Sequence, residues 1–131
     1  MNVPQDCRYT KEHEWVRVEG DIILVGITDY AQSALGDIVF VELPKVGLKL
    51  VAEQPFGSVE AVKAVSDLFS PVNGEVVEVN AAIGDDPTIV NKSPHGDGWM
   101  IKATLTDATQ MDLLLSPADD ETLVAGLEGG H

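Results

Sequence analysis

The stretch Phe56-Gly57-Ser58-Val59-Glu60-Ala61-Val62-Lys63-Ala64-Val65-Ser66-Asp67 constrains the fold more than any other part of the chain. Apolar residues flank Lys63 on both sides, and strand alternation would place it with Val59 and Ala61, which read as core. A lysine is almost never fully buried without a partner. The chain therefore has to reverse at Val62-Lys63-Ala64 and turn the amine outward. That turn contains no Gly, Pro or Asn, which points to type I geometry, open to most residues. A β-hairpin displaying a lysine at its tip is the expected centre of the molecule.

The remaining pattern is built of short strands and close turns. His13 to Val18 alternates, Gly20-Asp21 marks a turn, and Ile22 to Gly26 reads as a second strand. Thr28 is a helix N-cap signal with Asp29 in the first turn, and Gly36 stops that helix after Leu35. Ile38 to Leu43 is apolar on both faces apart from Glu42, which predicts a buried strand ended by Pro44 and Gly47. Glu75 to Val79 and Trp99 to Ala103 read as strands, with loops at Gly84 to Pro87 and at Asn91 to Gly98. Two late helices are expected, one over Asp107 to Leu115 and one opened by Ser116-Pro117 and released by Gly129-Gly130. The pattern predicts a mainly β protein, a flattened barrel or sandwich of seven or eight strands with one short early helix and C-terminal helices. It reads as one domain over residues 1–131, with a core over about 12–103 and a helical segment over about 107–128.

Composition narrows the function. A formal net charge of −14 argues against nucleic acid, whose phosphates need a basic footprint, and favours a monomer. The apolar runs are too short to cross a bilayer, so no membrane role is expected. Cys7 is the only cysteine, which excludes an internal disulfide and suits a reducing compartment. No leader is evident, which favours a bacterial cytoplasm, or a mitochondrial matrix after removal of a leader.

Self-contained catalysis has little support. His13, His95 and His131 lie far apart, and none adjoins a nucleophile elbow. His95-Gly96-Asp97 could supply two metal ligands, but a closed site needs four and the spacing offers no others. No phosphate-cradling glycine loop is present. What remains is Lys63, either an ordinary solvated lysine or a side chain presented to something else.

Its setting, two opposed strands followed by Ser70-Pro71-Val72-Asn73-Gly74, resembles the biotinyl/lipoyl attachment module. Biotin carriers of that family usually flank the lysine with methionine, whereas here the neighbours are Val62 and Ala64, which leans to lipoyl. Beyond the hairpin, the whole chain resembles glycine cleavage system H proteins. The likeness rests on Tyr9 to Trp15, Gly26 to Gln32, Leu35 to Pro44, the lysine run, and Val90-Asn91 with Gly98-Trp99. Two departures stand out: Ala61 where serine is frequent, and Asp120 where an aromatic residue is common.

The resemblance implies lipoic acid joined by an amide to Lys63 and no catalysis by the chain itself. The implied partners are a pyridoxal-phosphate glycine decarboxylase, a tetrahydrofolate-dependent aminomethyltransferase, a dihydrolipoamide dehydrogenase, and the lipoyl or octanoyl transferase or ligase that loads the lysine. The arm would carry an aminomethyl group prone to hydrolysis, so shelter is needed, and carboxylates would hold an ammonium well. Glu12, Glu14 and Asp67 are the candidates for that pocket, and Glu60 for recognition during lipoylation. Competing expectations are a lipoyl relay to other complexes, a biotin carrier, and a β-domain in which Lys63 is incidental.

Overall fold

A computed structural model describes residues 3–129. The strands are β1 (Arg8–Tyr9), β2 (Glu14–Glu19), β3 (Ile22–Ile27), β4 (Ile38–Glu42), β5 (Lys49–Leu50), β6 (Pro55–Ala61), β7 (Val65–Phe69), β8 (Gly74–Val79) and β9 (Ile101–Leu105). They form a six-stranded sheet, β1-β2-β3-β9-β8-β5, and a three-stranded sheet, β4-β6-β7. All pairings are antiparallel. The arrangement is the expected sandwich, and its sheets do not close into a barrel.

The main core lies between the sheets, where Val16, Ile23 and Val25 of one meet Val41, Val59 and Leu68 of the other. A second cluster of Cys7, Tyr9, Trp15 and Leu24 covers the opposite face of the larger sheet. This second layer explains why Ile23 to Ile27 is buried on both faces and reads as a continuous apolar run. Trp15 lies flat across its register partner Gly26, where a Cβ would come within 2.7 Å of the indole nitrogen. The indole N–H donates to the Pro94 carbonyl at 2.8 Å, so this ring ties β2 to the segment before β9.

The early helix, α1 (Asp29–Leu35), forms as expected, with Thr28 Oγ1 accepting from the Ala31 N–H and Gly36 capping its end. Elsewhere the structure corrects the reading. The expected loops contain α2 (Ala81–Asp85) and α3 (Thr88–Lys92). Asn80 caps the first by accepting from Ala82, and the Asp86 carboxylate starts the second by accepting the Thr88 N–H at 3.1 Å. Both are single-turn helices held by polar caps rather than by apolar periodicity. The strand expected over Trp99 to Ala103 starts two residues later, at Ile101. The segment after Asp107 is a 3₁₀ helix over Ala108–Leu113, followed by α4 (Pro117–Gly129). The buried-strand reading of Ile38 to Leu43 also fails. A bulge between Ile38 and Phe40 turns both Val39 and Phe40 outward, 54% and 49% exposed.

Candidate functional site

β6 and β7 form the predicted hairpin, with Ser58 opposite Asp67 and Glu60 opposite Val65. Val59, Ala61 and Leu68 face the core, and Val62-Lys63 make the reversal, where the Ala61 N–H donates to the Ala64 carbonyl at 2.8 Å. Neither Val62 nor Lys63 has a positive φ, as a type I turn requires. The Lys63 side chain is exposed and, among the described residues, makes no hydrogen bond or ion pair. Sequence reasoning places this side chain correctly.

The hairpin tip rests on the turn after α1. The Val62 N–H donates to the Asp37 carbonyl at 3.0 Å. The aliphatic stem of Lys63 passes over Gly36, where a Cβ would stand 3.5 Å from Cε. Gly36 has φ +80°, a conformation that L side chains rarely adopt. Asn91 of α3 fixes this seat, donating to the carbonyls of Gly36 and Gln32 Oε1 and accepting from Ile38. The amine thus stands on a braced platform.

At the other end of β7 a cavity of about 560 Å³ opens between the loop before β2 and the segment after the 3₁₀ helix. Its apolar lining includes Tyr9, Phe69, Pro71 and Leu113 to Leu115, and its polar lining includes Thr10, Glu12 and Glu14. Glu14 is only 2% exposed. Its Oε1 accepts from the Thr10 hydroxyl at 2.6 Å, and burial pushes its pKa up to about 7. The Thr10 hydroxyl and the Phe69 backbone oppose that rise, while the nearby Glu12 charge adds to it. A carboxyl poised in this way favours a cation entering the cavity, because an opposite charge stabilises its ionised form. Apolar walls with a recessed acid fit an aliphatic arm that ends in an ammonium.

The predicted pocket residues separate. Glu12 and Glu14 share the cavity, whereas Asp67 and Glu60 are exposed on the outer face of the hairpin. Strand alternation places Asp67 on the same face as Phe69, so it lies on the path from the hairpin tip to the cavity. Thr10 and the Leu113–Leu115 wall escaped sequence reasoning. Thr10 is four residues before Glu14 and closes back on it, with the Thr10 N–H donating to the Glu14 carbonyl at 3.0 Å.

The remaining titratable candidates are structural. His95 is buried beside Trp15, ring centroids 5.9 Å apart, and its Nε2 accepts the Asp29 N–H at 2.9 Å at the start of α1. Burial lowers its pKa to about 4. Among the described residues no cluster of His, Cys, Asp and Glu could hold a metal ion. His13 packs against Tyr30, centroids 4.7 Å apart, and burial lowers its pKa. Cys7 is buried, and desolvation raises its thiol to about 11, far from reactive. His131 lies outside the described residues. Asp120, the departure in the last helix, is only 2% exposed, and burial raises its pKa.

Two packed antiparallel sheets with a lone lysine at a hairpin tip define a β-sandwich module of the biotinyl/lipoyl type. The sequence profile of the family described as "Glycine cleavage H-protein" matches residues 7–125, and the chain belongs to that family. A glycine cleavage system H protein from Geobacillus kaustophilus (strain HTA426) is 56% identical over 124 residues, covering 95% of this chain and 98% of the relative. One from Carboxydothermus hydrogenoformans (strain ATCC BAA-161 / DSM 6008 / Z-2901) is 53% identical over 122 residues, covering 93% and 94%. The crystal structure of a glycine cleavage system H protein from Mycobacterium marinum superposes with a TM-score of 0.83. It is 41% identical and covers 97% of this chain and 99% of its own. No helix among the described residues is long and apolar enough to cross a membrane.

Proposed function

We propose that this protein is a lipoyl carrier of a glycine cleavage system, with Lys63 as the attachment point. The observation that carries the reading is one exposed amine on a braced hairpin tip, with an apolar, acid-bearing cavity at the far end of the same strand. Lipoic acid, when bound, supplies a disulfide able to accept a carbon fragment and electrons; the chain supplies carriage and shelter. Acylation removes the charge of Lys63, and the Gly36 seat lets the stem lie flat without a side chain in its way. Glu14, assisted by Glu12 and by Asp67 on the approach, holds the amine of the cargo. The walls from Phe69 and from Leu113 to Leu115 exclude water from it.

In this reading the protein has no catalytic residue of its own. It passes an aminomethyl unit from a pyridoxal-phosphate decarboxylase to a tetrahydrofolate-dependent transferase, and electrons to a dihydrolipoamide dehydrogenase, in a bacterial cytoplasm.

Reconstitution with those three enzymes tests it. Lipoylated protein supports glycine-dependent carbon dioxide release, and Lys63→Arg, which offers no acylable amine, abolishes it. Equal turnover with the two proteins would reject the reading. A relay that only donates lipoate would accept the cofactor yet leave glycine untouched.

A further inference from the structure

The turn after β5 holds a residue that its backbone does not favour. The Gln54 N–H donates to the Val51 carbonyl at 3.0 Å, which makes Val51 to Gln54 a β-turn with Glu53 in its third position. Glu53 has φ +70°, and a turn with positive φ at that position usually takes glycine. The conformation is imposed from outside the turn. The Glu53 N–H donates to the Ser70 carbonyl at 2.7 Å, and the Ala52 N–H donates to Asn73 Oδ1 at 2.7 Å. Backbone strain of this kind persists where the surroundings enforce it, and it collects at functional sites.

Glu53 lines the cavity that Glu14 closes from within, and it is exposed, so it stands where that cavity meets solvent. Its carboxylate makes no hydrogen bond or ion pair among the described residues. Lys11 and Glu12 line the cavity from the loop before β2. While Glu14 is protonated, the Lys11 charge offsets that of Glu12, and Glu53 alone leaves the lining negative by formal charge.

We propose that Glu53 is the entrance carboxylate of the cavity, a specificity-determining residue that draws in the ammonium end of the loaded arm and slows its exit. This role rests on Lys63 carrying the arm and on the cavity receiving its cargo. Glu14 holds the amine in the recess; Glu53 acts at the mouth. Because Glu53 is exposed, its pull is Coulombic and weakens with salt.

The test is release of the aminomethyl group from the loaded, lipoylated full chain, followed by intact mass at about 0.01 M and about 1 M salt. Glu53→Gln keeps the strained turn and removes the charge. Its release quickens about threefold at low salt, the scale of an exposed ion pair, and matches the parent at high salt. Glu53→Gly shows the same quickening yet melts no lower than the parent, because glycine adopts positive φ without a Cβ in the way. Glu19→Gln, the same charge change at the exposed end of β2, releases as the parent does. A Glu53→Gln protein with the release rate of the parent at low salt overturns the proposal. Equal quickening at both salt concentrations also overturns it, by assigning the effect to packing. A Glu53→Gly protein that melts below the parent shows that the turn is not strained, and removes the ground for assigning Glu53 a function. A parent that takes no lipoyl group at Lys63 overturns the carrier reading itself. A loaded parent that releases its cargo no more slowly than after unfolding in urea overturns the shelter reading instead.

Discussion

Asn91 Nδ2 donates to the Gly36 carbonyl at 2.8 Å, so a side chain from α3 holds the turn on which Lys63 rests. The Oδ1 of the same residue accepts from Ile38 at 2.9 Å, and the two bonds grip Asp37 from both sides. Asp37 in turn accepts the Val62 N–H at the hairpin tip. Position of the lysine is therefore set by a residue 28 places further along the chain.

Asn91→Ala leaves the Ile38 N–H and the Gly36 carbonyl without these partners. The expected loss is about 1–3 kcal/mol in urea unfolding, the usual penalty for stranded backbone groups. Lipoylation should slow beyond what the unfolded fraction explains. Asn91→Asp, which keeps the acceptor for Ile38 but not the donor to Gly36, should fall between the two. Parent-like stability of the alanine variant would contradict the bracing role.

Gly26→Ala puts a methyl group 2.7 to 2.8 Å from three indole atoms of Trp15. The ring is also stacked with His95 and covered by the Arg17 guanidinium, 5.0 Å from a ring centroid, so it has little room to retreat. A destabilisation of about 1–3 kcal/mol is expected, as for an overpacked core, with a red shift of tryptophan emission as the indole gains water. Unchanged emission and stability would show that the ring can yield.

Retention of the loaded amine should depend on Glu14. Glu14→Gln removes the charged partner, and loss of the amine-bearing cargo should quicken on the order of tenfold above pH 7, in line with the strength of hydrogen bonds to charged groups. Asp67→Asn should have a smaller effect, because this residue is exposed on the approach. The advantage of the parent over Glu14→Gln should shrink as pH falls and Glu14 takes up a proton, at a lower pH than in the empty cavity because the bound cation stabilises the carboxylate. Decay rates of the loaded proteins, followed by mass across pH, check this; equal rates at pH 8 would reject it.

Stability should carry the same signature. The folded-state pKa of Glu14 is raised from 4.5 to about 7, so the native state holds the proton longer and stability falls as pH rises between those values. His95 has the opposite sign. Its folded pKa is lowered from 6.5 to about 4, so its contribution is complete above 6.5 and is lost as pH falls towards 4. Removing the Glu14 titration leaves the His95 slope exposed. The stability of Glu14→Gln relative to the parent should rise steadily from pH 4.5 to 7, by a total of about 3 kcal/mol, because the His95 titration is common to both and cancels. A difference that does not change with pH would contradict the burial of a titrating Glu14.

Much of this architecture is legible in the residues, for identifiable reasons. The Lys63 hairpin could be read because a lone cation inside an apolar alternation has one physical solution, and α1 because Thr28 and Gly36 mark both ends. The exposure of β4 could not, since Ile38 to Leu43 carries the composition of a buried strand and only the bulge, a tertiary feature, turns Val39 and Phe40 outward. α2 and α3 are too short to show helical periodicity; their signals were Asn80 as a cap and Asp86 before Pro87-Thr88. Half of the cavity was also legible, through Glu12 and Glu14. Its other wall comes from Leu113 to Leu115, far away in sequence and joined to β1 by the paired bonds of Tyr9 with Leu115.

The most direct measurement is peptide mapping by mass after the folded protein is incubated with lipoate, ATP and a lipoate–protein ligase. The account predicts one lipoyl group per chain, wholly on the peptide containing Lys63, and none on Lys63→Arg. A bare Lys63, or lipoyl groups spread over the other lysines, would contradict it.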